Sequence, residues 1–286
     1  MQQRNAWQDP PAFRSGGGGG GGGMPQLSMP GMTPVTKRLL IANFGIWLLS
    51  WLLARFGGAF GQGLYDFFAL TPDRWRAWFP FVPVWEVVTY GFLHSVRDPM
   101  HILFNSMMLY FFGTMLEGIV GSRRFLTTYL VAMVLGGLAQ GLVGVATGTH
   151  AATVGASGAV LGVLVACAVL EPNQQVIFII IFVRLWILAA VLVGLDFFFL
   201  VNGGGGNTAY LVHLVGAAYG FLAARRRWIW RDPVELLERR AEERQRDKQV
   251  SEDRELDELL ERIHNEGIHS LSQRERDFLK RVSKRR

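Results

Sequence analysis

The sequence predicts an all-α polytopic membrane protein, and three observations indicate this class. Half of the 286 residues are hydrophobic and only 18% are charged, so the mean hydropathy is positive at +0.23. Several apolar runs approach the length of about 20 residues that a helix needs to cross a bilayer. Basic residues are concentrated beside these runs and in the C-terminal tail, which indicates membrane topology rather than nucleic-acid binding.

Six apolar runs are predicted to cross the membrane as helices. They are approximately 39–54, 101–119, 125–143, 156–170, 185–201 and 208–223. The intervening segment VIFIIIF, residues 176–182, is too short to cross, and we interpret it as an interfacial approach to the fifth span. A seventh span at this segment is the alternative.

The chain is predicted to have three parts. Residues 1–36 are predicted to form a disordered leader, because the glycine run within them cannot bury apolar surface. Residues 37–228 form a six-helix membrane domain, and 229–286 form a charged helical tail. Basic residues in the short flanks all fall on one side when the number of spans is even, and this side is expected to be the cytoplasm. Leader and tail are therefore expected in the cytoplasm, with the domain in a bacterial-type plasma (inner) membrane.

The long first loop, residues 56–100, is expected on the outer side. It carries arginines that oppose this orientation, although acidic residues of the same loop offset their charge. Its stretch DRWRAWFPFVPVWEVVTY is rich in aromatic residues, which favour the headgroup level of a bilayer. We therefore expect the loop to lie partly in the outer leaflet.

The tail is predicted to fold as a helical hairpin. Leu256, Leu259, Leu260 and Ile263 repeat at helical spacing, and a glycine at 267 then interrupts the pattern. The sequence SQRE at 272–275 is a capping-box pattern that begins a second helix. The hairpin is expected to bind a cytoplasmic partner or the inner membrane surface, and the alternative is a solvated appendage.

A serine and a histidine are predicted to meet inside the membrane. Ser157 begins the fourth span within TVGASGAVLG, and His213 lies in the first turns of the sixth. Alternate spans run in the same direction, so both side chains fall in the outer half at one depth. Glycines spaced four residues apart let helices approach closely. The predicted helix-packing glycines are Gly155, Gly158, Gly162, Gly216 and Gly220.

A serine and a histidine placed together in this way are typical of an acyl-transfer site. A histidine beside a serine removes the hydroxyl proton as the oxygen attacks a carbonyl. His101 and Asn105, in HILFN, share one face of the second span at the same depth and offer donors to an oxyanion. The N–H of Ser157, at a helix N-terminus, also favours negative charge. Taken singly, GASG is also explained as packing filler, His213 as an interhelical hydrogen-bond partner, and HxxxN as a polar seam.

No chemistry is assigned to the remaining ionisable residues of interest. Asp196, near the outer end of the fifth span, has no evident partner and is expected to be structural. Glu117 is expected to accept from backbone donors in the loop after the second span. The four other histidines are assigned to loops or to the tail: His94, His150, His264 and His269.

Neither a metal nor a cofactor is expected. The spans contain no histidine, cysteine and carboxylate cluster at metal-ligand spacing. The single cysteine, Cys167, lies in an apolar run and cannot form an intramolecular disulfide.

Five segments together resemble the rhomboid family of intramembrane serine proteases. In chain order they are WEVVTYGFLHS, HILFNSMMLYFFGTMLE, GSRRFLTTYL, VGASGAVLG and HLVGAAYG, within residues 85–220. The resemblance implies a rhomboid-like bundle in which Ser157 is the nucleophile and His213 the general base. It also implies an oxyanion hole from His101, Asn105 and the Ser157 backbone, and a dyad without an orienting aspartate. The expected partners are the lipid bilayer and the single-span or polytopic membrane proteins that family members cleave within their transmembrane segments.

The sequence departs from the family pattern in two places. Leu161 stands where the family often has an aromatic residue that stacks on the histidine. The stretch SVRDPM, residues 95–100, lengthens the approach to His101. Two alternative functions remain open, namely a non-catalytic rhomboid-like protein that binds client transmembrane helices, and a small transporter or channel.

Overall fold

The fold is described by a computed structural model over residues 31–178, 181–203, 209–230 and 233–283. These residues are mainly α-helical and belong to two compact units, which divide between residues 231 and 232. Residues 1–30, which make up most of the expected leader, lie outside the described residues.

Within the described residues, three helices are long and apolar enough to cross a membrane. The first is α1 (Pro34–Phe56), and the third is α7 (Ser122–Thr147). The second, Pro99–Val120, is one continuous helix with a π-helical turn in its middle. Its parts are α5 (Pro99–Met108), the π turn (Leu109–Gly113) and α6 (Thr114–Val120).

Three shorter helices occupy the remaining predicted spans. They are α8 (Ser157–Leu170), α9 (Leu185–Val201) and α10 (Tyr210–Arg225). Their bounds agree with the predicted runs to within two residues. Helix α8 is buried at every position from Gly158 to Ala168, as expected for a helix that is apolar on all sides and lies in the middle of a bundle.

The first loop contains three short helices and an internal ion-pair network. These helices are α2 (Gly58–Phe68), α3 (Pro72–Trp78) and α4 (Glu86–Thr89). Within the network Arg74 pairs with the buried carboxylate of Glu86, and Arg76 pairs with Asp73. Two of the arginines that opposed the predicted orientation are therefore neutralised within the loop.

The segment before α9 is a β-hairpin. Its strands, β1 (Gln175–Phe178) and β2 (Ile181–Arg184), pair antiparallel with Val176 opposite Val183. The alternative of a seventh span here is wrong. A short apolar run does not distinguish strand from helix by periodicity, and the β-branched residues of this one favour the strand.

Glu117 fastens the second predicted span to the start of α1. Its carboxylate accepts hydrogen bonds from the backbone N–H groups of Val35 (2.9 Å) and Thr36 (2.8 Å) and from the Thr36 hydroxyl (2.9 Å). The first N–H groups of a helix have no partner within it. The expectation for Glu117 was wrong about these donors, which lie 82 and 81 residues earlier in the chain. The Ser122 hydroxyl, in the following segment, also donates to this carboxylate, at 2.6 Å.

The second unit contains α11 (Pro233–Glu266) and α12 (Gln273–Ser283). The predicted capping box is confirmed, because the Ser272 N–H donates to the Glu275 carboxylate at 2.7 Å and the Glu275 N–H donates to the Ser272 hydroxyl at 3.4 Å. The buried contacts between the helices come from Leu259, Leu271 and Phe278. Of the four residues predicted at helical spacing, Leu256, Leu259 and Ile263 belong to this cluster, whereas Leu260 is 51% exposed.

Candidate active site

The segment before α8 is fixed by backbone hydrogen bonds to the first loop. Thr153 and Leu70 exchange two backbone hydrogen bonds, of 2.9 and 3.1 Å, and the Gly155 N–H donates to the Tyr90 carbonyl at 2.9 Å. Gly155 has a φ of 127°, which residues with a side chain rarely adopt. The turn at Gly155 allows α8 to begin at Ser157, whose N–H is among those without an intrahelical partner.

Four glycines set the register between α8 and α10. A Cβ atom on Gly158 would lie 2.8 Å from the Val212 carbonyl oxygen, and one on Gly216 would collide with the Gly158 carbonyl. One turn further along, Gly162 faces Gly216 and Gly220 in the same way. The two helices therefore touch through their backbones, as small residues at membrane-helix contacts permit.

This register places the serine opposite the histidine. The Ser157 hydroxyl oxygen lies 2.6 Å from Nε2 of His213, which is hydrogen-bonding distance. Ser157 begins α8 and His213 lies in the first turn of α10, so the pair sits where both helices start. The His213 side chain is 16% exposed, so the pair is largely shielded from solvent.

The second nitrogen of the same imidazole contacts a carboxylate. His213 Nδ1 lies 3.0 Å from an oxygen of Asp196, on α9. The expectation that Asp196 has no evident partner is therefore wrong. The available signal was a lone acidic residue in a strongly apolar span, since an ionisable group in a membrane is by default a functional candidate.

His101 lies against the same turn as Ser157. A Cβ atom at Gly155 would lie 2.6 Å from Nε2 of His101 and 3.7 Å from the Ser157 hydroxyl oxygen. Nε2 of His101 and the Ser157 hydroxyl oxygen are therefore separated by no more than the sum of these two distances. Gly155, which was expected to pack helices, precedes α8 and makes room for the imidazole of His101, on α5.

Asn105 lies one helical turn after His101 and is buried. Its side-chain amide donates to the His101 carbonyl at 2.9 Å, and this bond uses one of the two N–H bonds of that amide. The Ser95 N–H donates to Nδ1 of His101 at 3.4 Å. The His94 ring is fully buried, and its centre lies 5.2 Å from that of His101, so His94 supports the His101 ring.

The other histidines that were assigned no chemistry lie elsewhere. Nδ1 of His150 lies 2.9 Å from Asp73, in the ion-pair network of the first loop. His264 and His269 belong to the second unit. Cys167 is a buried free thiol, and Leu161 is buried within α8.

The bundle and its partly buried Ser–His pair define a class of helical membrane protein with a serine hydroxyl in contact with an imidazole between two helices. The Rhomboid domain model matches residues 83–228, which is just over half of the chain and includes every residue of the candidate site. The chain therefore belongs to the rhomboid family, as its sequence predicted. A second family model, a family of unknown function (DUF6576), matches residues 240–285 in the tail. A search of curated proteins found no match.

Proposed function

We propose that this protein is an intramembrane serine endopeptidase that cleaves transmembrane segments of other membrane proteins. The observation that supports the proposal most directly is the 2.6 Å contact between the Ser157 hydroxyl and Nε2 of His213. A serine hydroxyl becomes nucleophilic when a base accepts its proton during attack. In the proposed first step the Ser157 oxygen bonds to the substrate carbonyl carbon, the carbonyl π electrons move onto oxygen, and His213 takes the proton.

The developing oxyanion needs hydrogen-bond donors, and each such donor typically contributes about 2.7–4 kcal/mol. The N–H of Ser157 and the unused N–H of the Asn105 amide are two proposed donors. His101 is the third. Because its Nδ1 accepts from the Ser95 N–H, its Nε2 carries the proton in the neutral ring. That nitrogen lies against Gly155, two residues before Ser157.

We propose that all six apolar helices cross a bacterial-type plasma membrane, with both termini in the cytoplasm. Helices α8 and α10 are then parallel, which is consistent with Ser157 and His213 meeting where both helices start. The site lies toward the outer surface in this arrangement. The first loop presents exposed apolar side chains such as Phe79 (80% exposed) and Phe81 (78%), which suit a position in the outer leaflet.

The proposal is tested by reconstituting the protein in liposomes with single-span test substrates. Ser157→Ala and His213→Ala are expected to lower kcat by about 10³-fold or more. The matched control is Ser50→Ala, which removes a buried hydroxyl from α1 and is expected to cleave at the wild-type rate. Thermal unfolding of each variant verifies that it is folded. Cleavage retained by Ser157→Ala would overturn the proposal.

A fluorophosphonate label separates a protease from a non-catalytic protein that only binds client helices. The label forms a covalent bond with an activated serine oxygen, so wild type is expected to react and Ser157→Ala is not. Binding of the test substrate without labelling and without cleavage would favour the non-catalytic alternative. Ion flux through the same liposomes would favour a channel.

We also propose that the tail binds a cytoplasmic partner or the inner membrane surface. The support is its surface, which is densely charged with both signs on the exposed faces of α11. Deleting residues 232–286 is expected to leave the kcat of a purified substrate unchanged and to abolish that binding. If binding and assembly are also unchanged, the tail is a solvated appendage.

A further inference from the structure

We propose that Asp196 is a positioning residue that holds His213 for the reaction, so that the site works as a Ser–His–Asp triad. This inference rests on the proposed protease function. The imidazole of His213 lies between two groups, with the Ser157 oxygen 2.6 Å from Nε2 and the Asp196 carboxylate 3.0 Å from Nδ1. The three side chains come from three helices, α8, α10 and α9.

The location of Asp196 argues against an incidental contact. It is the only charged residue of α9, whose sequence is LWILAAVLVGLDFFFLV. Its neighbours Leu195 and Phe197 are 48% and 60% exposed on the helix surface, whereas the Asp196 side chain is only 16% exposed. A carboxylate in an apolar helix is costly unless it is paired. Its partner here is the imidazole that also contacts Ser157.

The contact determines which nitrogen of His213 can act as a base. An ionised carboxylate only accepts hydrogen bonds, so Nδ1 must carry its proton and donate a hydrogen bond to Asp196. In the neutral ring Nε2 then has a free electron pair, and this pair faces the Ser157 hydroxyl. The carboxylate thus selects the tautomer that accepts the serine proton.

The contact also favours the charged state formed during attack. As the proton passes from the Ser157 oxygen to Nε2, the imidazole becomes a cation, and Asp196 remains an anion beside it without taking a proton itself. Such a pair is attractive, and limited solvent exposure increases the attraction. The residue one turn after Ser157 on α8 is Leu161, an aliphatic side chain that cannot hydrogen-bond the ring. In the described part of the chain, the polar side chain that contacts Nδ1 of His213 is Asp196. We therefore assign the orientation of this nitrogen to Asp196.

The test is Asp196→Asn in the full-length protein, reconstituted in liposomes. The asparagine amide can donate to Nδ1, which places the remaining proton on Nε2 and removes the base. We expect kcat and the rate of fluorophosphonate labelling both to fall at least about 10-fold, with KM nearly unchanged. In serine proteases with a complete triad the same substitution lowers kcat about 10⁴-fold. The matched control is Leu195→Asn, which adds the same amide to an exposed position of α9 and is expected to react at the wild-type rate.

A purely structural role predicts a different result, in which activity falls only as far as the folded fraction does. If Asp196→Asn does not fold, Asp196→Glu and Asp196→Gln provide the comparison, since they differ in charge and not in size. The glutamate variant is expected to react at least about 10-fold faster than the glutamine variant. Equal rates for these two, or wild-type kcat and labelling in a folded Asp196→Asn, would overturn the inference. Ser157→Ala is measured alongside, and its cleavage would instead reject the protease function itself.

Discussion

A Cβ atom on Gly162 would lie 2.7 Å from the carbonyl oxygen of Gly216, so α8 and α10 are in direct backbone contact at this point. The same contact recurs one turn earlier, between Gly216 and Gly158. Ser157 directly precedes Gly158, and His213 lies one turn before Gly216. The distance between the proposed nucleophile and base is therefore set by glycines that take no part in the chemistry.

The first prediction is that Gly162→Ala impairs both stability and catalysis. The added methyl group has no space, so α8 and α10 must separate, and overpacking of this kind costs about 1–3 kcal/mol. Thermal unfolding in detergent is expected at a lower temperature, and the rate of fluorophosphonate labelling is expected to fall.

Gly45→Ala is the matched control for this prediction. Gly45 lies within α1, and a Cβ atom there would meet nothing within 4 Å. This variant is expected to be at least as stable as wild type, because alanine favours the helix over glycine by about 1 kcal/mol. A Gly162→Ala protein with wild-type stability and labelling would show that the two helices are not in backbone contact.

The second prediction is that Gly155→Ala disrupts the oxyanion site. Two effects combine at this residue, namely its φ of 127° and the 2.6 Å that would separate the new Cβ from Nε2 of His101. Displacing His101 removes one proposed donor, which corresponds to roughly a 10²-fold or greater loss of kcat. The measurement is cleavage of a single-span substrate at saturating concentration.

Gly148→Ala separates backbone strain from the displacement of His101. Gly148 also has a positive φ, 72°, but a Cβ atom there would meet nothing within 4 Å. It is expected to lose about 1–3 kcal/mol of stability from strain and to keep its kcat. Equal kcat values for the two variants would argue that His101 does not act at the site.

The third prediction concerns the attachment of α1. Glu117→Gln removes the charge that accepts hydrogen bonds from Val35, Thr36 and Ser122, and buried hydrogen bonds to charged groups contribute about 1.5–3 kcal/mol each. We expect the protein to unfold at a lower temperature, with faster amide hydrogen exchange at the start of α1. The control is Glu171→Gln, at the exposed end of α8. Unchanged exchange at Val35 and Thr36 would contradict this role.

The positions of the helices and the Ser–His pair could be predicted because they depend on local patterns. An apolar run gives the bounds of a helix, as α9 shows, and the alternating direction of the predicted spans led to the expectation that Ser157 and His213 meet. The contact between Asp196 and His213 depends on which faces of α9 and α10 meet. That is a property of helix packing, and one sequence contains no direct signal for it.

The same distinction between local sequence patterns and helix packing explains where the other predictions differ from the structure. Glu117 was expected to serve the adjacent loop, but its carboxylate reaches a helix that begins about 80 residues earlier in the chain. The strands at 175–178 and 181–184 are apolar and short, a pattern that strands and buried helices share. Leu259 and Leu260 are adjacent on α11, and which of them is buried depends on where α12 packs.

The last prediction is a pH dependence in the tail. Hydrogen bonds from the hydroxyl and the N–H of Ser272, with Arg262 nearby, hold the pKa of the Glu275 carboxyl below its usual range. A carboxyl whose pKa is lower in the folded state stabilises that state while it is ionised. The stabilisation is therefore present above the pKa of an unfolded glutamate, about 4.3, and is lost as the pH falls through the lower folded value.

Amide hydrogen exchange in α12 of the full-length protein, corrected for the intrinsic effect of pH, measures this dependence. At pH 6 Glu275→Gln is expected to exchange faster than wild type, because the neutral amide is a weaker acceptor for the Ser272 N–H. The difference between the two proteins is expected to shrink as the pH falls below about 4.3. It is expected to vanish below the lower pKa of folded Glu275, where wild type also loses its charge. Glu258→Gln, at an exposed position of α11, is the control and is expected to match wild type throughout. A difference between Glu275→Gln and wild type that persists unchanged at low pH would mean that the capping carboxylate does not stabilise α12 through its charge.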